Sequence, residues 1–209
     1  LAVGRAYTEA TAWQYRFFVP HDVNGMIQLF GGKEEFVAAL DDIFNTDAEI
    51  HGNLVDITGL IGQYVHGNEP SHHIAYLYNY VGEPWKTQKM SRRLLNEMYH
   101  PTPEGIIGNE DCGQMSAWYV LNAMGFYQVC PGRPLYSIGR PLFDKATVNL
   151  KDGKKFTVVA TDNSCTNKYV QKMLLNGEEL VRPFFTHQDI TDGGTLELIM
   201  GDKPVKTNN

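Results

Sequence analysis

The sequence predicts a mainly α chain, part of an α/α toroid built from helical hairpins, followed by a small C-terminal antiparallel β unit. Three observations carry that prediction. Apolar residues recur at helical spacing from Tyr7 to Met124, without an evident strand between them. Two of these helices are joined by only Gly82 and Glu83, a link so short that they must fold back on each other. Beyond Cys130 the pattern changes to alternating runs around Asp-Gly and Asn-Gly pairs. The predicted division is a helical toroid portion over residues 1–128 and a β-rich unit over 129–209.

The first helix is expected in "YTEATAWQYRFF", where Tyr7, Ala10, Trp13, Tyr15, Phe17 and Phe18 precede Pro20. In "KEEFVAALDDIF", Phe36, Val37, Leu40, Ile43 and Phe44 fall on one face. Pro70 suits a first helical position behind Asn68 or Glu69 as cap, and Gly82 suits the end of that helix. Pro84 then opens the next, with Trp85, Met90, Leu94, Leu95 and Met98 as its buried positions. A further helix is expected from about Cys112 to Met124, closing at Gly125, with Asp111 and Gln114 in capping-box spacing. Pro131, Pro134 and Pro141 mark a connector. "TVNLKDGKKFTVVATD" then predicts two strands around Asp152-Gly153, "YVQKMLLNGEEL" repeats the device at Asn176-Gly177, and "GGTLELIMG" closes the unit.

The 209 residues are 43% hydrophobic and 20% charged, which places the chain among globular proteins. Its net charge is −6 and no Lys/Arg run is longer than the pair Arg92-Arg93, so no nucleic-acid partner is expected. No transmembrane segment is expected either. The start, "LAVGRAYTEATAW", lacks the charged and apolar regions of a signal peptide and reads as the interior of a longer polypeptide. Cys112, Cys130 and Cys165 are too far apart for a zinc pattern and allow at most one disulfide, so they do not indicate a compartment.

Three polar clusters fall where helices begin: Thr8-Glu9 with Trp13-Gln14-Tyr15, His66-Gly67-Asn68-Glu69 with His72-His73, and Asn109-Glu110-Asp111 with Gln114. In a ring of hairpins such ends converge on one mouth. Each cluster also has a plain structural explanation. Glu9 can complement a helix dipole, Asn68 and Glu69 can form a cap, and Asp111 with Gln114 can form another, which leaves Glu110 without a reason. The adjacent His72 and His73 point to different helix faces, which argues against a two-histidine zinc site. A hard cation is the other possibility: "GNE" at 67–69 and "NED" at 109–111 supply the oxygen donors that Ca²⁺ prefers. Such an ion would relieve the repulsion between neighbouring acids and leave one free for proton transfer. Trp13, Tyr15, Trp85 and Trp118 could wall a sugar ring.

"YTEATAWQYRFFVPHD", "GNEPSHHIAYLYNYVGEPWKTQ", "GNEDCGQMSAWYVLNAMGFYQVCPG" and the tail "NKYVQKMLLNGEEL" together resemble the C-terminal part of the family 92 glycoside hydrolases, calcium-dependent exo-α-mannosidases. The resemblance runs over essentially the whole chain. It implies inverting hydrolysis of non-reducing-end α-mannose, commonly α-1,2-linked, by an N-terminal β-sandwich joined to a C-terminal (α/α)6 catalytic domain. Carried over motif by motif, it implies that Glu9 is the general acid and Asp111 the general base. Asn68, Glu69 and Asp111 would hold Ca²⁺; Trp13, Gln14, Tyr15, His66, Gly67 and Glu110 would meet the substrate, with His66 and Gly67 bearing on linkage. Asn109 stands where some members carry a further carboxylate. The implied substrates are mannose-containing glycans, of the high-mannose N-glycan type or mannan, met in the periplasm or after secretion. The β-sandwich, the early toroid helices and the rest of the polypeptide's N-terminal part are absent from this chain, so it is expected to expose apolar surface and to have little activity alone.

Two other classes remain open on the residues. One is a non-catalytic carbohydrate-binding module using the β tail with Phe184 and Phe185. The other is a metal-independent (α/α)6 glucosidase or glucanase with the same acid pair, which would have no need of the "GNE" and "NED" oxygen set.

Overall fold

In a computed structural model, which describes residues 7–48 and 57–206, helices dominate the first half and sheets the second. The first helix is much shorter than its apolar spacing predicts. Helix α1 is only Ala12–Tyr15, because Thr11 is extended and forms a capping box with Gln14. Thr11 accepts from Trp13 N, while Gln14 Oε1 accepts from Thr11 N at 2.8 Å. Glu9 therefore lies outside any helical turn, with φ 57°, and has no helix dipole to complement. Helices α2 (Val23–Leu29) and α3 (Lys33–Asn45) follow, and α3 buries Phe36, Leu40, Ile43 and Phe44 as its periodicity requires.

A short hairpin of β1 (Leu60–Ile61) and β2 (Tyr64–Val65), which no sequence pattern revealed, leads into the histidine-rich segment. That segment is not one α-helix. It forms a 3₁₀ turn at Glu69–Ser71 and a 3₁₀ helix at Ile74–Val81 that ends on left-handed Gly82. All of the latter except Tyr80 is buried, so tertiary packing and not intrinsic propensity sets its geometry. It packs against helix α4 (Pro84–Met98), as the short link requires. Helix α5 is Gln114–Met124, starting two residues later than its spacing suggests and ending at left-handed Gly125.

Two apolar cores result. The first joins α2, α3, the 3₁₀ helix, α4 and Trp118 of α5; the second lies under the sheets. One three-stranded sheet is made by β3 (Phe126–Tyr127), β4 (Leu135–Ile138) and β9 (Phe184–Thr186), so part of the expected connector is strand. A five-stranded sheet has the order β5 (Lys145–Asn149), β6 (Lys155–Thr161), β10 (Gly194–Gly201), β7 (Tyr169–Leu175), β8 (Glu178–Glu179). Asp152 with Gly153 and Asn176 with Gly177 all have positive φ, the conformation that closes tight hairpins. The unit is not wholly antiparallel: β10 runs parallel to β6, pairing Leu196 with Val158. A short helix α6 (His187–Asp192) lies between β9 and β10, which allows β10 to return in that direction. Alternate residues Phe156, Val158, Leu196, Leu198 and Met200 face the second core.

Candidate active site

The loops carrying "HGNEP" and "GNED" meet through two glycines. A Cβ on Gly67 would lie 2.0 Å from Thr58 Oγ1, and one on Gly108 would lie 2.9 Å from that atom and 3.1 Å from Gly67 Cα. Gly108 also has φ 76°, so side chains are excluded there on conformation as well as space. Neither Gly108 nor Thr58 was identified from sequence. Only the meeting of two distant backbones explains them.

The N-terminal segment joins the same place. Asn68 is 4% exposed, and its Nδ2 donates to the Glu9 carbonyl at 2.8 Å. It makes no side-chain cap for the Glu69–Ser71 turn, so the cap explanation of Asn68 is replaced by a contact spanning 59 residues of sequence. Gln14 reinforces the junction through Nε2, which donates to the Gln63 carbonyl just before the HGNEP loop.

Glu110 and Asp111 exchange the places that spacing assigns them. Residue Gly113 is the N-cap of α5 and makes no side-chain cap bond. Glu110 accepts from Ser116 N at 3.1 Å and from Ser116 Oγ at 3.0 Å, satisfying the first turn of the helix. Asp111 is instead exposed in a left-handed conformation, φ 50°, and takes no part in capping with its side chain. Gln114 turns to His72 Nδ1 (3.1 Å) and the Tyr127 hydroxyl (3.4 Å). The acid with an evident structural reason is Glu110, and the one without is Asp111.

Glu69 completes an acidic group. Burial pushes its carboxyl above the usual carboxylate range, against the lowering effect of its own backbone N–H. A hydrogen bond with Asp111 and the charges of Asp111 and Glu9 push it further up. Acids from two other segments thus act on Glu69, and none of the three is in an ion pair with a basic side chain among the described residues. No group of three or more His, Cys, Asp or Glu able to hold a metal occurs among those residues. The oxygen donors that meet are the Glu69 and Asp111 carboxylates; Asn68 Nδ2 is engaged with the Glu9 carbonyl, so only its Oδ1 could serve a cation. These are oxygen donors of the type a hard cation takes, and calcium needs about 6–8 such oxygens, so carbonyls, water or sugar hydroxyls would have to supply the rest.

Beneath the acids lies an aromatic floor. His66 has no exposed surface, and its ring nitrogens meet the hydroxyls of Tyr64 (2.9 Å) and Tyr99 (2.8 Å). Its ring stands edge-on to Trp118 at 4.4 Å. Trp118 Nε1 donates to the His72 carbonyl, and His72 Nε2 donates to the His66 carbonyl. Burial drives the pKa of both His72 and His73 down to about 4 and that of His66 well below normal, so all three are neutral near pH 7. His72 has both ring nitrogens engaged and His73 donates Nε2 to the Phe17 carbonyl, so both rings serve packing.

The remaining candidates differ in access. Gln14 is fully buried and His66 likewise, so neither side chain presents a surface to a sugar; each can only position other groups. Gly67 is buried too. Trp13 is half-buried, with the Arg16 guanidinium 4.3 Å from its ring centre. Tyr15 is half-buried, donates to the Thr8 carbonyl and stacks on Tyr7 at 5.4 Å. Exposed Tyr7 and Phe18 extend this aromatic face. Asn109 is exposed.

Comparison with known proteins agrees with the sequence resemblance. A model of the glycosyl hydrolase family 92 catalytic domain matches residues 2–202. An uncharacterized secreted glycosidase of Arthroderma benhamiae is 35% identical over 196 residues, covering 92% of this chain and 23% of that protein. A family GH92 α-mannosidase of Bacteroides thetaiotaomicron, solved in complex with mannoimidazole, superposes with a TM-score of 0.87 at 43% identity, over 94% of this chain and 26% of its own. A GH92 inverting mannosidase of the same organism gives 0.82 at 42% identity, over 95% and 28%. The chain therefore spans about a quarter of the length of these relatives. With the family model matched from residue 2 to residue 202, the chain belongs to glycosyl hydrolase family 92.

Proposed function

We propose that this chain is the C-terminal part of the catalytic domain of an inverting, calcium-dependent exo-α-mannosidase that removes terminal, commonly α-1,2-linked mannose from glycans. Its helices would form an arc of the (α/α)6 ring, over residues 1–128, with the β-rich unit of 129–209 packed on it. The observation that supports this reading best is that Glu9 and Asp111, from separate segments, both act on Glu69, the three acids having no basic partner among the described residues.

In this reading Glu9 protonates the departing glycosidic oxygen, and Asp111 takes a proton from water on the opposite face of the sugar. Inversion requires the two carboxyls about 6.5–9.5 Å apart when a water sits between them. Asn68 fixes the Glu9 peptide through its carbonyl, so the acid's backbone is anchored to the loop that carries Glu69. Asn68, Glu69 and Asp111 would hold Ca²⁺, which when bound supplies electrostatic binding of vicinal sugar hydroxyls. Trp13 and Tyr15 would border the sugar. Gln14, His66 and Gly67 would act from behind the surface by setting where the loops stand, and Glu110 by holding the start of α5. The relatives' glycans and the secreted location named for one of them are extended to this protein on the same reading, as is low activity of the chain without the rest of the polypeptide.

The test is mannose release from α-1,2-mannobiose by the whole polypeptide, with and without chelator. Activity lost on chelation and restored by Ca²⁺ but not Zn²⁺, and lost in both Glu9→Gln and Asp111→Asn, is expected. Full activity in both variants would overturn the assignment.

A further inference from the structure

Away from the acidic group, a cavity of about 520 Å³ opens between α4 and the loop after β6. Cations dominate its lining: Lys89, Arg92, Arg93, Arg140 and Lys168. The one carboxylate in the lining, Glu97, is paired with Arg93 at 2.9 Å. For a chain of net charge −6 this is a local reversal of sign.

Two of the cations are held in an unfavourable state. Arg140 is only 5% exposed; its Nη2 donates to the Ser164 carbonyl at 3.0 Å, but its buried Nε–H has no partner. Arg92 Nη1 is buried without a partner as well. Neither guanidinium is in an ion pair among the described residues. Burial, followed by the nearby Arg92 charge, pushes Arg140 down to about 10. Two like charges brought together with orphan donors cost free energy until an anion compensates them.

We propose that this cavity binds a phosphate dianion, free or as a monoester, with Arg92 and Arg140 holding its oxygens and Lys89, Arg93 and Lys168 drawing it in. Guanidinium forks match tetrahedral oxyanions in charge and geometry. The cavity is large enough for an organic group on the phosphate, beside Gln88 and Tyr169. None of Glu9, Asn68, Glu69 or Asp111 lines it, so the inference stands apart from the glycosidase reading.

The test uses the whole polypeptide freed of divalent metal, titrated calorimetrically at low salt with inorganic phosphate and with phenyl phosphate. Saturable binding is expected, weakened at least about tenfold by Arg92→Gln or Arg140→Gln, as loss of a charged hydrogen-bond donor implies. Exposed Lys145 on β5 lies outside the cavity, and Lys145→Gln should bind as wild type. Tighter binding of phenyl phosphate would identify a monoester site, and equal binding a free-phosphate site; both support the proposal. Because Arg140 is buried, half-buried Arg92 decides the outcome if Arg140→Gln does not fold. Absence of binding up to about 10 mM, where even millimolar affinity would register, overturns it. So does binding that Arg92→Gln leaves intact.

Discussion

Exchanging the roles of two adjacent acids makes the sharpest test of this site. Glu110 accepts two bonds from Ser116, the third residue of α5, whereas Asp111 makes no capping bond. Loss of an N-terminal capping acceptor costs about 0.5–2 kcal/mol, and the exposure of Glu110 favours the lower half of that range. Its negative charge at the helix start adds about 0.3–1 kcal/mol at low salt. Glu110→Ala should therefore destabilise by about 1 kcal/mol. Asp111→Asn should cost no stability, because it removes a charge that repels Glu69. In catalysis the order reverses. With Asp111 in its proposed role of general base, whose removal lowers kcat by about 10²–10⁴-fold, Asp111→Asn should be nearly inactive. Glu110→Ala should lose less than about tenfold, the scale of a loosened support at about 1.4 kcal/mol. Urea denaturation and initial rates of mannose release, measured on the same preparations of the whole polypeptide, give both quantities. A full loss of rate in Glu110→Ala with an unchanged midpoint, beside an active Asp111→Asn, would refute the reasoning.

Four further outcomes follow from the same geometry. Gly108→Ala places a side chain at φ 76° against Thr58 and Gly67, and should cost about 1–3 kcal/mol in denaturant melts. Gly67→Ala clashes chiefly with Thr58 Oγ1, so the double variant with Thr58→Ala should recover part of the loss; no recovery would place the strain elsewhere. Stability should fall as pH drops from about 6.5 to about 4. His72 and His73 stay neutral in the fold over that window but take up protons when unfolded, at about 1.4 kcal/mol per pH unit for each group. Melts of His73→Gln should show a shallower acid slope. The raised Glu69 carboxyl has the opposite sign: its contribution is present below the ordinary glutamate pKa and is lost as pH rises through its higher folded value. Glu69→Gln should thus gain stability relative to wild type as pH rises, in the absence of divalent metal.

Local sequence accounts for α3, α4 and the tight hairpins, though not for the one-turn α1 or the 3₁₀ geometry of Ile74–Val81. The apolar face of α3, the proline-opened α4, the left-handed ends at Gly82 and Gly125 and the Asp-Gly and Asn-Gly turns all rest on interactions within a few residues. Such interactions are the same wherever the segment sits in a fold. The motifs carrying Glu9, Asn68, Glu69 and Asp111 were legible too, as residue types that resist burial.

Which of these residues serve structure depends on contacts between segments distant in the chain. Capping-box spacing favours Asp111, yet the left-handed backbone at Asp111 and Cys112 brings Glu110 to Ser116 instead. Asn68 suits a cap by position, but it meets a carbonyl 59 residues away, a partner that local spacing cannot reveal. His66 and Gln14 are polar side chains that are fully buried in the fold, because packing against Tyr64, Tyr99, Trp118 and the Gln63 carbonyl outweighs their polarity once each hydrogen bond is made. The parallel pairing of β10 with β6 likewise depends on the path of the chain between them, since side-chain alternation is the same for either strand direction.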